Sequence, residues 1–379
     1  MAYILGIESS CDETSAAVVR SGEEVISNVV LSQFATHKPF QGVVPELASR
    51  EHLRNIVPVL RAALEQSGQS YESLDAIAAT RGPGLAGALL VGLSFAKAIC
   101  FALDKPLITV NHLEGHIHAV LLEQRLQGNH QLQFPVVALV VSGGHTHLYL
   151  AEQEGASWRY SNVGHTRDDA AGEAFDKVAK LLGLGYPGGP VIDQLAKHGD
   201  PQAVKFALAQ MKHRDRRDHG KPLEQRPHFD FSYSGIKTAV LRYVELNGMQ
   251  EAIEARRKEL LRIEKPGVED YRRLCDRQTL DLVASFQRAV VQDLVGKTLT
   301  AAQTFNVATL LVTGGVAANS ELRATFESRA AEAGISVYFP SRPLSTDNAA
   351  MIAAAAYPKF LARDFAPLDV SAEAGLVLK

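Results

Sequence analysis

The sequence predicts an α/β fold of two duplicated lobes around a cleft, and three observations carry that prediction. A strand-turn-strand unit opens the chain, the same unit returns at residue 136, and a glycine turn joins a late strand to a helix near residue 314. In the first unit, residues 3–7 form an apolar strand, ESSCDETS a polar turn, residues 16–19 a second strand, SGEE a turn, and residues 25–31 a third strand. In the second, residues 136–141 are the strand, SGGHT the turn, residues 147–151 the next strand, and a third begins at Trp158. Helical segments follow both units, at residues 45–67 and 169–182. The expected lobes are residues 1–111, completed by a C-terminal helix over 348–379, and residues 112–347, which include an extension over 205–275.

A chain of 379 residues with 46% hydrophobic and 21% charged residues is globular and long enough for two such lobes. Its 39 Lys plus Arg against 42 Asp plus Glu give a net charge of −3, which excludes an indiscriminately polybasic nucleic-acid binder. Cys11, Cys100 and Cys275 are scattered, against a disulfide scaffold and for a reducing compartment. The N-terminus turns acidic at Glu8, Asp12 and Glu13 and lacks the basic start of a signal peptide. The apolar stretch 85–103 contains Lys97 and is rich in Gly and Ala, which suits a buried helix better than a membrane span. The expectation is a soluble, cytoplasmic protein with no membrane partner.

Glycine turns and helix N-termini gather unpaired backbone N–H groups, and three such turns in this order form a set of anion sites. The third lies where the strand 309–312 runs into Gly314 and Gly315, with Asn319 at a helix start. The pattern resembles the superfold shared by actin, the heat-shock ATPases and sugar kinases (ASKHA), which implies phosphates on the first two hairpins and the nucleoside on the third. Two other glycine motifs are rejected. Gly82 to Gly87 reads GPGLAG after the strand 74–80, but no acid ends the next strand, 107–110, as a dinucleotide site requires, so these glycines serve close packing and a tight helix start. Gly296-Lys297-Thr298 would need its first phosphate-loop glycine at Val291, inside a helical pattern.

The chemistry concentrates at Asn111-His112-Leu113-Glu114-Gly115-His116. Spacing i, i+4 places His112 and His116 on one helical face, as a divalent metal needs, although two histidines stacked on a helix fit equally well. The motif is not HExxH, because Glu114 is out of place for that motif's general base. The best third ligand is Asp347, in Ser345-Thr346-Asp347-Asn348 before an alanine-rich helix, where N-capping competes for the acid. Two imidazoles and a carboxylate with open positions suit iron or zinc better than magnesium.

The motifs GIESSCDETSAAVV, GVVPELASREH, RGPGLAGALLVGL, NHLEGHIHA, VVSGGHT, DDAAGEAFDKVAKLLGLGYPGGP, FSYSGIKTAV, VTGGVAANSELR and STDNAAMIA run in order from Gly6 to Ala353. They resemble the TsaD (YgjD, Gcp) family of tRNA N6-adenosine threonylcarbamoyltransferases over nearly the whole chain. The resemblance implies an acyltransferase that moves threonylcarbamoyl from threonylcarbamoyladenylate to N6 of adenosine 37 in tRNAs reading ANN codons, releasing AMP. It implies His112, His116 and Asp347 as ligands of one divalent metal per subunit, Fe2+ ahead of Zn2+. It also implies that Val140, Val141, Ser142, Gly143 and Gly144, with Asp176, Gly189, Asp193 and Asn319, bind the adenylate.

A base must accept the proton of the attacking amine, and the sequence offers Glu13 or Asp12 first, then His145, with turn formation as the rival role for the two acids. Backbone donors at Gly143 and Gly144 are expected to take developing negative charge. Asp176 and Asp193, read as helical residues flanking the loop 185–190, would reach a ribose diol, against a rival role as solvated helix faces. Cys11 is given a structural role. For RNA, residues 205–226 hold seven Lys or Arg against three acids, a candidate phosphate-contacting patch. Residues 247–273 mix seven basic residues with six acids and read as an exposed helix pair in what looks like a lineage insertion. The family implies two protein partners, a paralogous TsaB-like subunit and a TsaE-like ATPase; residues 48–64 and 84–98 read as contact faces, with buried core fitting them equally well. The rival functions are a metallopeptidase built on HxxxH, an ASKHA-type small-molecule kinase, and a non-enzymatic nucleotide-binding scaffold.

Overall fold

In the computed structural model, which describes residues 1–207, 217–218, 221–222 and 229–379, two five-stranded sheets repeat one plan. The first is built from β1 (Tyr3–Glu8), β2 (Glu13–Arg20) and β3 (Glu24–Ser32), then, after the short turn α1 (Phe34–His37) and the long helix α2 (Pro45–Ser67), from β4 (Ala76–Gly82), helix α3 (Ala86–Leu103) and β5 (Leu107–Asn111). Its order is β3-β2-β1-β4-β5, with β1 antiparallel to β2 and parallel to β4. Helix α4 (His112–Leu126) leads to the second sheet.

That sheet starts with β6 (Val136–Val141), β7 (Thr146–Glu154) and β8 (Ser157–His165). Helices α5 (Ala171–Leu181) and α6 (Gly188–Ala196), the short strands β9 (Arg217–Asp218) and β10 (Lys221–Pro222), and helices α7 (Ser234–Leu246), α8 (Gln250–Leu261), α9 (Val268–Leu274) and α10 (Arg277–Thr304) follow. The sheet is completed by β11 (Thr309–Thr313), helix α11 (Ser320–Glu332) and β12 (Ser336–Tyr338), and the turn α12 (Arg342–Ser345) leads to helix α13 (Ala349–Ala362). Its order, β12-β11-β6-β7-β8, is the first sheet's order read from the other edge, with β6 antiparallel to β7 and parallel to β11.

The apolar strands are continuous because both faces of each sheet are covered. Along β1, Ile4 packs on the α13 side while Leu5 and Ile7 pack on the side of α2 and α3. The alanine run of α13 has a cause in Gly6 of β1, where a Cβ would lie 2.3 Å from the Ala349 carbonyl oxygen. Only small side chains let helix and strand approach so closely. Helix α4 packs on α13 and also on β6 and β11, so it is a wall common to both halves. Among the described residues α3 alone is long and apolar enough to cross a membrane. It packs Leu93, Ala96, Ile99 and Cys100 into the core with Leu60 and Ile77.

The rejected glycine motifs have structural roles. Gly84 faces Ser10, where a Cβ would lie 2.6 Å from the backbone oxygen, and Gly296-Lys297-Thr298 lies inside α10. Three expectations change. The C-terminal helix stops at Ala362, where Arg363 takes a left-handed conformation with φ of 55°, and the remaining residues form a tail. This tail bonds to the first lobe through Ala366 N to Leu107 O (2.8 Å) and Glu373 N to Arg81 O (2.9 Å), then buries Leu378 with Leu113, Ile117, Val136 and Ala138. The loop expected over 185–190 is shorter, because α6 already starts at Gly188. The pair α8 and α9 is not wholly exposed: Arg256 is 2% exposed and donates to the carbonyls of Leu182 and Leu274 and to Thr279 Oγ1. These bonds satisfy the buried guanidinium and pin the extension to α5 and α10. The basic stretch 205–226 lies outside the described residues except for 205–207 and the backbone of β9 and β10.

Candidate functional site

The site grows from the start of α4. Asn111 ends β5 and caps the helix, accepting from Leu113 N at 2.9 Å, while Glu114 reaches back to Asn111 N at 3.4 Å. Glu114 also pairs with Lys359 at 2.9 Å, so the acid inside the HxxxH motif is engaged away from the histidine pair. This cap sets His112 as the first helical residue and His116 one turn on, 3% and 0% exposed, with their rings edge to face at 4.7 Å.

Asp347 completes the cluster. Its competing role falls to its neighbour, since Asn348 caps α13 by accepting from Met351 N at 3.1 Å. Asp347 Oδ1 then lies 3.1 Å from His116 Nε2 and 3.6 Å from His112 Nε2, and the three donor atoms fall within 4.8 Å of one another. Among the described residues His116 Nδ1 is buried with no hydrogen-bond partner, and Nε2 lies beside the Asp347 carboxylate. A cation would satisfy this cluster, and two imidazole nitrogens with one carboxylate are a donor set that divalent transition metals accept. Burial opposes ionisation of Asp347, but the facing His112 and His116 outweigh it and hold the carboxyl well below its ordinary range. Burial likewise opposes the charge on His112, and Asp347 and Glu8 reverse this and push it up to about 9 in the metal-free protein.

Sequence reasoning missed Glu8 as part of this centre. Glu8 is fully buried at the end of β1. Its Oε2 accepts from Thr80 Oγ1 at 2.7 Å and lies 3.1 Å from His112 Nδ1, and its Oε1 accepts from Ser10 N at 2.5 Å. The available signal was an acid closing an apolar strand whose neighbours are all buried.

The ESSCDETS turn faces the cluster. Burial, and then the charges of Asp12, Asp347 and Glu13, push the Cys11 thiol well above its ordinary value, which suits the structural role given to it. Glu13 opens β2, half-buried near Ser32 Oγ at 3.4 Å, and burial together with Asp347 and Asp12 raises its carboxyl well above the usual range. Across the cleft, the His145 ring lies 5.9 Å from that of His112 and stays neutral, pushed down to about 3 by burial and by the neighbouring histidines. Tyr186, from the connection between α5 and α6, stacks on Phe34 at 6.1 Å and lies within the field of Asp12 and Glu13.

The residues expected at the adenylate lie in β6, in the turn after it, and around the starts of α6 and α11. Val140 and Val141 are buried in β6, and Gly314 packs so tightly on Val141 that a Cβ there would lie 2.4 Å from its carbonyl oxygen. In the turn after β6, Ser142 N donates to His145 O at 2.8 Å, while Gly143 and Gly144 are exposed with open space beside them. Asp176 and Asp193 are not solvated helix faces. Asp176 accepts from Gly188 N at 2.6 Å at the start of α6, and Asp193 accepts from Ser320 N (3.1 Å) and Oγ (2.8 Å) at the start of α11. Gly189 lies in the first turn of α6 with open space beside it. Asn319 caps α11 through Leu322 N at 2.9 Å and donates to Gln287 Oε1 at 2.8 Å.

A duplicated two-lobe α/β fold with such a cleft defines the ASKHA class. Full-length HypF, solved in a phosphate- and nucleotide-bound form, aligns at a TM-score of 0.54 with 12% identity, over 94% of this chain and 55% of that one. Component A of Acidaminococcus fermentans (R)-2-hydroxyglutaryl-CoA dehydratase aligns at 0.50 with 13% identity, over 95% and 99%. At such identities the likeness concerns the fold alone. Within that class, the family model TsaD, tRNA N6-adenosine threonylcarbamoyltransferase, matches residues 24–354. The chain is 72% identical over 378 residues to the tRNA N6-adenosine threonylcarbamoyltransferase of Koribacter versatilis (strain Ellin345), covering 100% of this chain and 99% of the relative. It is 47% identical over 369 residues to that of Moorella thermoacetica, covering 97% and 95%. The chain belongs to the TsaD family.

Proposed function

We propose that the chain transfers threonylcarbamoyl from threonylcarbamoyladenylate to N6 of adenosine 37 in tRNAs reading ANN codons. The observation that carries this reading is the His112, His116 and Asp347 cluster facing the same cleft as the open glycine turn at 143–144. The N6 amine is a weak nucleophile because its lone pair is delocalised into the purine. Catalysis therefore rests on holding an activated acyl donor against it. The N6 nitrogen bonds to the carbonyl carbon, the bond from that carbon to the phosphate oxygen breaks, AMP leaves, and one N6 proton passes to a base. A divalent metal held by His112, His116 and Asp347 supplies Lewis acidity and a template for the threonylcarbamoyl oxygens, and this donor set favours Fe2+, with Zn2+ second.

The N–H groups of Gly143 and Gly144 take the developing negative charge, an effect worth roughly 3 kcal/mol per donor in other enzymes. Ser142 lines the phosphate side, and Val140 and Val141, buried in β6, support it from behind. Asp176, Gly189, Asp193 and Asn319 form the nucleoside side, and the two acids act by setting the starts of α6 and α11. Glu13 is the first candidate for the base, since the turn that carries it faces the same cleft as the SGGHT turn, with Asp12 and then His145 behind it. The lobes divide as 1–111 with 348–379, and 112–347.

The partners are tRNA, a paralogous TsaB-like subunit and a TsaE-like ATPase, in the cytoplasm. Exposed Leu53 and Val57 on α2, and Leu90 and Phe101 on α3, support a docking face for the paralogous subunit. The decisive experiment incubates the chain and its partners with labelled threonylcarbamoyladenylate and unmodified ANN-decoding tRNA. Labelled N6-threonylcarbamoyladenosine in the nucleoside digest is expected, and its absence with every partner combination overturns the reading.

A further inference from the structure

The two histidines of α4 are held differently. His112 Nδ1 sits 3.1 Å from both Glu8 Oε2 and Ser10 Oγ, whereas His116 Nδ1 has no hydrogen-bond partner among the described residues. We propose that Glu8 is a positioning residue that fixes the tautomer and ring orientation of His112, so that its Nε2 lone pair faces the metal. This inference rests on the metal reading above.

Ser10 alone would not fix the tautomer, because a hydroxyl either donates to Nδ1 or accepts from it. An ionised carboxylate only accepts. Glu8 Oε2 therefore requires a proton on His112 Nδ1, so that Nε2, 3.6 Å from Asp347, is the nitrogen turned to a metal. The carboxylate is itself held on both oxygens. Thr80 Oγ1 donates to Oε2 from β4, and Ser10 N donates to Oε1 from the turn. A fully buried carboxylate is costly unless its oxygens are bonded, and here every bond also restricts the direction in which it faces the ring. A carboxylate behind a ligating imidazole raises the basicity of that imidazole as well as orienting it. Glu8, from the first lobe, thus reaches the metal site through His112, while the bond from Oε1 to Ser10 N ties the same group to the ESSCDETS turn.

The test titrates metal-free, full-length protein with Co2+, read by its visible absorption, and with Zn2+ in competition with a chromophoric chelator. Glu8→Gln is expected to weaken binding by about 10- to 100-fold and to change the Co2+ spectrum, with partial rescue by Glu8→Asp. In a His112→Ala background, Glu8→Gln should add no further loss, an epistasis that a purely structural carboxylate would not produce. Unchanged affinity and spectrum in Glu8→Gln, or a full additional loss in the His112→Ala background, overturns the positioning role alone. Failure of the wild-type protein to bind either metal instead overturns the metal reading, and this inference falls with it. A measurement that needs no charge-removing variant is the 15N-histidine spectrum of Zn2+-loaded wild type, assigned by the signal lost in His112→Ala. A proton on Nδ1 supports the proposal and a proton on Nε2 overturns it.

Discussion

The turn after β1 and the turn after β6 occupy equivalent places in the duplicated fold, yet they are built oppositely. The first is filled by its own side chains. Ser9 Oγ donates to Ala88 O at 2.9 Å, Ser10 N is taken by Glu8, Leu85 N donates to Ser10 O at 2.8 Å, and Gly84 and Gly92 press close to Ser10 and Ser9. The second is braced only at its base, where Gly172 presses on Ser142 and Gly143, and a Cβ on Gly143 or Gly144 themselves would meet nothing within 4 Å. Under the proposed function, this difference suits the first turn to bracing the His112, His116 and Asp347 cluster and the second to receiving an anion.

The largest effect expected concerns what the first turn supports. Asp347→Ala, or removal of metal by a chelator, should cut single-turnover transfer by about 10³-fold, since metal charge stabilisation is worth several kcal/mol. Unchanged transfer would leave the packed turn without a purpose in catalysis. Next, Gly84→Ala should cost about 2–3 kcal/mol in denaturant unfolding, because its Cβ would press on the Ser10 backbone. Gly143→Val tests the opposite turn. Its stability should stay within about 0.5 kcal/mol of wild type, while adenylate affinity measured by calorimetry falls about tenfold, or about 1.4 kcal/mol. If instead Gly143→Val unfolds and Gly84→Ala does not, the contrast between the turns is wrong.

Asn348→Ala should cost about 1 kcal/mol as a lost N-cap and weaken metal binding through a less fixed Asp347. The smallest effect depends on pH. His52 braces the first turn through Cys11 O at 2.9 Å and Thr14 Oγ1 at 2.8 Å, and burial lowers its pKa below the ordinary 6.5. Between the two values the unfolded chain binds the proton and the folded one does not, so stability is fully present above pH 6.5 and declines as pH falls through the lowered value. Unfolding curves should show a smaller decline below that pH for His52→Gln than for wild type.

Much of this was legible in the sequence because it follows from periodicity and caps. Helix α2 ran from Pro45 to Ser67 as expected, between a proline suited to a first turn and Gly68, whose φ of 64° ends it. The spacing of His112 and His116 and the choice of Asp347 gave a cluster whose geometry a single further fact decided, the capping of α13 by Asn348. What stayed hidden depended on groups distant in sequence. Glu8 looked like the first acid of a turn, because nothing local reveals that Thr80 and His112 close around it. Asp176 and Asp193 were expected at a ribose, with solvated helix face as the rival role, and their bonds to helix starts stayed hidden because those N-termini belong to other helices. Arg256 looked exposed because the carbonyls that bury it come from Leu182 and Leu274.

The tail after α13 has a practical consequence. It crosses the first lobe beside Arg81 and Gly84 and ends with Leu378 sealed among α4 and β6 residues, one position before the last. A fluorophore or tether attached beside Leu378 would pull on that seal, whereas Met1 is fully exposed ahead of β1. Labels for this protein belong away from the tail.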